Sequence, residues 1–349
     1  MSPPDSLTDR RGGVRFEYDP GVVRFGAGAA AELANELDEQ GIERALVVCG
    51  STVGSTPAVI DPVTDGLGDR LADVFDETTP EKRLDTAYDG LDAAREHDAD
   101  ALVALGGGSS LDVAKVISVL SADDRDSAAV GAELADTGSI SVPDGSLLPV
   151  VAVPTTLAGA DLSAVAGVTA SPDAGLVEES AMPPGTDAVG GGVSDPRLMP
   201  TATVYDPELF ATTPERILAA SAMNGFDKGV ETPYARDATP VGDATAIHGL
   251  RLLSDALPRV AGDRGTSEAA MDRAVVGALL VQLDRRISVI HAFGHGFARR
   301  YDVQQGDIHA IVAPHVLAYL FDEVDASRRA LADGLGVEVD GRGDDAIAE

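Results

Sequence analysis

Tryptophan is absent from this chain, cysteine occurs once, and lysine is confined to Lys82, Lys115 and Lys228. The single Cys49 excludes a disulfide framework and a cysteine-rich zinc site. With 26 basic against 58 acidic side chains and a formal net charge of -32, the chain lacks the clustered Lys/Arg that non-specific nucleic-acid or anionic-membrane binding requires. No apolar run approaches the ~18 residues of a membrane span. The N-terminus, Met1-Ser2-Pro3-Pro4-Asp5, is polar and unlike a signal peptide. The expectation is a soluble, cytoplasmic protein. A hydrophobic content of 44% over 349 residues is ample for packed cores, and the length suggests about two domains.

The basic side chains are lopsided, arginine supplying 23 of the 26. An acidic, lysine-poor surface suits a halophilic protein, since molar salt screens self-repulsion. A GC-rich coding sequence would give the same bias, and composition does not separate the two. In either case a lysine that remains is informative.

The first half alternates strand-like and helix-like segments. Ala45 to Cys49 is a continuous apolar run ending in Gly50-Ser51, as expected of a buried parallel strand. Ala101 to Leu105 repeats the pattern and enters Gly106-Gly107-Gly108-Ser109-Ser110; Leu147 to Val153 is a third run, closed by Pro154-Thr155-Thr156. Leu84, Ala87, Leu91 and Ala94 recur at helical spacing between the first two. Strand–helix–strand alternation predicts a parallel sheet with helices on its faces. The stretch from Ser171 to Pro200, rich in Gly, Pro, Ser and Asp, reads as a long excursion. Beyond Val204-Tyr205-Asp206-Pro207 the strand signal fades. Thr212-x-x-Glu215 reads as a capping box, and helical patterns follow over 240–257, 268–286, 288–300 and 309–322. The expected fold is an α/β domain with a Rossmann-like parallel sheet over 1–207 followed by an all-α domain over 208–349.

Leu102 to Lys115 reads LVALGGGSSLDVAK. Glycines let backbone N–H groups approach a pyrophosphate, and the helix N-terminus adds about half a positive charge. Leu111 stands where a strict G-x-G-x-x-G would have its third glycine. An ordinary tight strand–helix turn is the competing reading, and Lys115, one of so few lysines, tips the balance toward phosphate.

GGGSSLDVAK, followed by PTTLAGADLS (Pro154 to Ser163) and VYDPELFATTP (Val204 to Pro214), resembles the iron-containing alcohol dehydrogenase family from Phe25 to Leu320. The resemblance implies a dinucleotide-binding α/β domain, a helical domain and an active site in the cleft between them. It gives Gly106, Gly107, Gly108 and Ser109 to the pyrophosphate of NAD or NADP, with Asp112 and Lys115 in the same motif. It also puts Thr155, Thr156 and Ser163 near the cofactor. Family members preferring NAD carry Asp after the first strand; here that position is Gly50, followed by Ser51 and Thr52. Loss of the carboxylate predicts tolerance of NADP.

Four of the six histidines, His291, His295, His309 and His315, fall within 25 residues. His291 and His295, four apart, share a helix face. The resemblance makes His291 the counterpart of a metal ligand and His295 that of a proton-relay residue, with His309 a further candidate. The remaining family ligand positions hold Asn224, Lys228 and Gln305, a poor divalent-ion set. No catalytic metal is therefore expected, and Lys228 becomes the candidate electrophile. In a second register Asp227, Glu231 and His291 would be ligands and the protein a metal-dependent alcohol dehydrogenase. Asn224, Glu231-x-x-Tyr234-Ala235, His295 and Asp307-Ile308-His309-Ala310 are more similar to the maleylacetate reductase branch. Arg299 and Arg300 are candidates for a substrate carboxylate. Relatives usually continue with more helices beyond the segment ending at Glu349. The expected activity is hydride transfer to or from a small carbonyl or alcohol substrate, a keto acid being one candidate, by a homo-oligomer. A catalytically silent nucleotide-binding relative is the alternative.

Overall fold

The computed structural model describes residues 21–235, 237–260, 267–298, 301, 303–323 and 328–337. Arg299, Arg300, the N-terminal Met1–Asp5 and the terminal segment ending at Glu349 lie outside the described residues. Two compact units result: an α/β unit of residues up to 155 together with 160–212, and a helical unit of 156–159 together with residues from 213 onward.

Among the described residues the α/β unit holds eight strands: β1 (Val22–Phe25), β2 (Ala45–Val48), β3 (Leu71–Phe75), β4 (Ala101–Gly106), β5 (Val150–Pro154), β6 (Val165–Ala170), β7 (Val189–Ser194) and β8 (Ala202–Tyr205). Six of them form one sheet in the order β1-β8-β5-β4-β2-β3, and every pairing in it is parallel. Helices α1 (Leu33–Gln40), α2 (Ser51–Gly54), α3 (Pro57–Leu67), α4 (Leu84–Glu96), α5 (Gly108–Leu120), α6 (Ser127–Thr137) and α7 (Pro207–Ala211) complete the unit. The apolar runs are continuous because both faces of the sheet are covered. Leu46, Leu102 and Val150 pack with residues of α4 and α5, whereas Val47, Val103 and Val151 pack with α1 and α3. Leu84, Ala87, Leu91 and Ala94 are all buried, as their spacing predicts.

Two local expectations are corrected. The Ser171–Pro200 stretch contains β7, which pairs antiparallel with β6. Its sequence, VGGGVS, carries no alternating side-chain signal, because the glycines admit neighbouring backbone: a Cβ on Gly191 would lie 2.3 Å from the Gly138 carbonyl oxygen. The capping box at Thr212 is not formed either. The Thr212 hydroxyl bonds back to the Leu209 carbonyl at 2.6 Å, closing α7, and the next helix opens behind Pro214.

The helical unit is built from α8 (Glu215–Glu231), α9 (Pro240–Val260), α10 (Glu268–Gln282), α11 (Val289–Ala298), α12 (Gln305–Glu323) and α13 (Arg328–Leu335). Its core includes Val230, Leu250, Ile290, Leu317 and Leu331. No helix of the described residues is long and apolar enough to cross a membrane.

Asp206, in the VYDP motif, is buried and serves three backbone amides. It accepts from Gly28, Ala30 and Glu208, each at 3.1 Å, thereby capping α7 and anchoring the turn after β1. Asp206→Ala leaves these donors without their partner and should lower unfolding free energy by about 2–4 kcal/mol. Asp206→Asn, which keeps one acceptor oxygen, should cost clearly less in urea melts.

Candidate active site

In the α/β unit the chain leaves β2 toward β3 and leaves β4 in the opposite direction, toward β5. The crevice beyond the C-terminal ends of β2 and β4 is therefore a topological switch point, where open parallel sheets bind ligands. Two sequence-predicted segments end there: Gly106 to Ser109 after β4, and Gly50-Ser51 after β2. Gly106 has φ of +126°, a conformation left to glycine. Gly107 caps α5, and residues 107–109 are only partly buried, so the first amides of a 13-residue helix stand at the crevice. Thr155 is buried, and its N–H donates to the Gly106 carbonyl at 2.9 Å.

Asp112 and Lys115 of the same motif work as fasteners. Lys115 is wholly buried, its ammonium donating to the carbonyls of Ala160 at 2.7 Å and Ser163 at 2.5 Å. The Asp112 carboxylate accepts from Lys82 Nζ at 2.6 Å and from the Gly167 amide at 3.1 Å. Lys82, in the left-handed region at φ 56°, was not anticipated; its signal was the rarity of lysine. Nor was Thr78, whose hydroxyl lies 3.0 Å from that of Ser110 in the turn.

In the helical unit α8 organises everything else. Ser221, Gly225 and Lys228 recur at helical spacing and all address residues 157–159. Ser221 Oγ accepts from the Leu157 amide at 3.1 Å. A Cβ on Gly225 would lie 2.4 Å from the Leu157 carbonyl oxygen. The Lys228 ammonium donates to the Ala158 carbonyl. Thr156, the first residue of this segment, is partly buried.

Glu231, a turn beyond Asp227, is fully buried. Its carboxylate accepts from the amides of Ser288 (2.9 Å) and Ile290 (2.7 Å), from the Tyr234 hydroxyl (3.2 Å) and from His291 Nδ1 (2.6 Å). Four donors occupy the roughly four lone-pair positions of a carboxylate. Because His291 Nδ1 donates to it, Nε2 is left as the acceptor, and it faces the side-chain amide of Asn224 at 3.3 Å. That tautomer calls for the amide nitrogen of Asn224, rather than its oxygen, to point at the ring. Burial pushes the His291 pKa down to about 4; the Glu231 hydrogen bond works against this, and Lys228 and His309 reinforce it. Burial and the Glu231 charge also raise the Tyr234 hydroxyl.

His309 is fully buried, edge-on to His291 with ring centroids 4.4 Å apart. Its Nδ1 lies 2.9 Å from the Asp227 carboxylate, which burial raises above the ordinary carboxylate range while His309 pulls it down. Gln305 opens α12 with its Nε2 buried and unpartnered. The structure thus brings Asn224, Lys228, His291 and His309 together. His295, one turn along α11, is exposed on this unit. Among the described residues no group of three or more His, Cys, Asp or Glu is arranged to hold a metal ion.

A doubly wound sheet with a glycine turn at its switch point, joined in one chain to a helical unit with a buried histidine cluster, defines a two-unit α/β enzyme of the dinucleotide-binding kind. The chain belongs to the iron-containing alcohol dehydrogenase family: residues 20–207 match Iron-containing alcohol dehydrogenase, and residues 218–349 match the family's C-terminal region. It is accordingly a dehydrogenase or reductase of that family. It is 28% identical over 341 residues to the NAD-dependent methanol dehydrogenase of Bacillus methanolicus, covering 96% of this chain and 84% of that protein. It is 30% identical over 339 residues to the maleylacetate reductase of Burkholderia cepacia, covering 94% and 81%. The crystal structure of maleylacetate reductase from Agrobacterium tumefaciens superposes with a TM-score of 0.73 at 26% identity, over 96% of this chain and 83% of that one.

The buried neutral His291 makes the fold acid-sensitive. Unfolded histidine titrates near ~6.5, so between that pH and about 4 the unfolded chain binds a proton that the folded chain refuses. Stability should fall as pH drops through this window, by up to about 3 kcal/mol from this group. Urea melts at pH 7 and 4.5 should show a smaller loss for His291→Gln than for wild type; equal losses would refute the assignment.

Proposed function

We propose that the chain is a nicotinamide-dependent oxidoreductase acting on a small carbonyl or alcohol substrate without a divalent metal. The dinucleotide, when bound, supplies or accepts the hydride. The amides of Gly106 to Ser109 at the N-terminus of α5 hold the pyrophosphate, and the Gly50-Ser51 segment flanks the adenosine side.

The observation that carries the metal-free reading is the donor chemistry around His291. Asn224, Lys228, His291 and Gln305 offer a carboxamide, an ammonium, one imidazole and another carboxamide. An ammonium has no lone pair for a cation and repels one. The alternative set of Asp227, Glu231 and His291 fares no better: the Glu231 oxygens already accept four hydrogen bonds, and among the described residues no three His, Cys, Asp or Glu side chains are arranged to hold a metal ion. These residues do not fit a divalent ion, and no step is assigned to one. A carboxylate with a divalent ion, and a carboxamide with an ammonium, carry the same net charge. Lys228 therefore stabilises the alkoxide character that develops on the substrate oxygen, and Asn224 and His291 fix the site around it. His295 moves the proton, His309 supporting His291 from behind. Likeness to proteins named maleylacetate reductases favours a keto acid as substrate.

Lys228→Ala should cut kcat/KM by at least about a hundredfold with dinucleotide binding retained, while EDTA leaves wild-type activity unchanged. Activity lost on chelation and restored by iron or zinc would overturn the metal-free reading. Binding without turnover across aldehydes and keto acids would mark a catalytically silent relative.

A further inference from the structure

We infer that Asp76 is a specificity-determining residue for the dinucleotide: its carboxylate bars a 2′-phosphate, so the chain takes NAD in preference to NADP. The inference rests on the dinucleotide reading proposed above and revises the expectation drawn from Gly50. That expectation considered only the strand carrying residue 50.

β2 and β3 are parallel neighbours with Val48 opposite Phe75, so the segments that follow them leave the same edge of the sheet side by side. The two are tied together: Cys49 N–H donates to the Phe75 carbonyl at 2.9 Å, and Thr78 N–H to the Cys49 carbonyl at 3.1 Å. A Cβ on Gly50 would lie only 3.0 Å from the Thr78 carbonyl oxygen. The segment after β3 therefore fills the flank where a side chain at position 50 would stand. It also brings a carboxylate of its own, because a Cβ on Gly54 would come within 2.9 Å of Asp76 Oδ2. Gly54 ends α2, which begins at Ser51, so the Asp76 carboxylate lies about one helical turn, ~5 Å, along from Ser51.

With its pyrophosphate on Gly106 to Ser109, a dinucleotide extends its adenosine outward across the end of β2. β3 is the next strand in that direction. A phosphate on the ribose 2′ oxygen projects farther outward, toward Asp76. Residues 49–54 and 76–79 contain no lysine or arginine to receive it, and Glu77 adds a second acid. The charge of Asp76 reaches this edge of the sheet: burial pushes the Cys49 thiol up to about 12, and Asp76 adds to the rise. Plain ribose hydroxyls carry no charge and meet no such opposition.

Binding of NADH and NADPH can be followed through reduced-nicotinamide fluorescence in a protein without tryptophan. At 0.1 M salt the wild type should bind NADH at least about tenfold more tightly than NADPH, and the ratio should shrink in molar salt, where the Debye length is about 3 Å. Asp76→Asn, isosteric and neutral, should tighten NADPH at least about fivefold and leave NADH within about twofold. NADH binding retained with an unchanged ratio in Asp76→Asn, or wild type binding NADPH as tightly as NADH, overturns the role of Asp76 alone. Failure of the wild type to bind either dinucleotide would remove the dinucleotide reading and this inference with it.

Discussion

The buried carboxylate of Glu231 is the constraint on which the helical unit turns. Left alone, an ionised carboxylate in such a place would be too costly to keep. Here the amides of Ser288 and Ile290, at the start of α11, present their donors to it, and the positive end of the helix dipole favours the charge. The same carboxylate accepts from His291 Nδ1 and the Tyr234 hydroxyl. One side chain therefore sets where α11 begins, which ring nitrogen of His291 is protonated and which edge of that ring meets Asn224. The position of His295, one turn further along, is inherited from the same anchor. A carboxylate so fully engaged is a framework group.

The α/β unit follows the same logic with charges of both signs. The Lys115 ammonium lies under the 160–163 segment and holds it through two carbonyls, while Asp112 joins α5 to β6 and to Lys82. Asp206 does likewise for the turn after β1. Each is a buried charge answered by backbone dipoles or by one opposite charge, arrangements that fix a single geometry because leaving any partner out is expensive. All three lysines of the chain are engaged in this way, Lys115 and Lys228 buried and Lys82 partly exposed. In a composition that discards lysine elsewhere, those that remain are held by local geometry.

The parts of the fold legible in the sequence were those written in side-chain hydrophobicity. The runs at Ala45, Ala101 and Leu147 read as buried strands because two covered faces demand apolar residues at every position. The glycine stretch read as a tight strand-to-helix turn because three glycines between an apolar run and a helix admit a backbone such as that of Gly106. β7 was illegible for a related reason: its glycines are there to admit neighbouring backbone, and a strand without side chains has no periodicity. The roles of Asp112 and Lys115 were hidden too, since motif proximity says which residues are near a turn but not whether they point into it. The grouping of Asn224, Lys228 and His291 could be anticipated from helical spacing and resemblance. Saturation of Glu231 by α11 could not, because it depends on a partner more than fifty residues away.

The net charge of -32 poses a problem for any protein that takes an anionic cofactor. At physiological ionic strength the Debye length is about 8 Å, so distant acids matter little and the balance is settled by groups at the site. Lys115 and Lys82 do not supply the local positive charge in the obvious way, for their ammonium groups already hold carbonyls and a carboxylate. The row of amides from Gly107 onward and the dipole of α5, on which the proposed pyrophosphate site would draw, are a charge fixed by the backbone and unaffected by lysine depletion. Such a site has little positive potential to spare. On the proposed reading it neutralises the pyrophosphate, while an additional phosphate beyond β2 would meet Asp76 with no compensating cation on the segments around it. The proposed preference for NAD would then follow from the same scarcity that marks the composition.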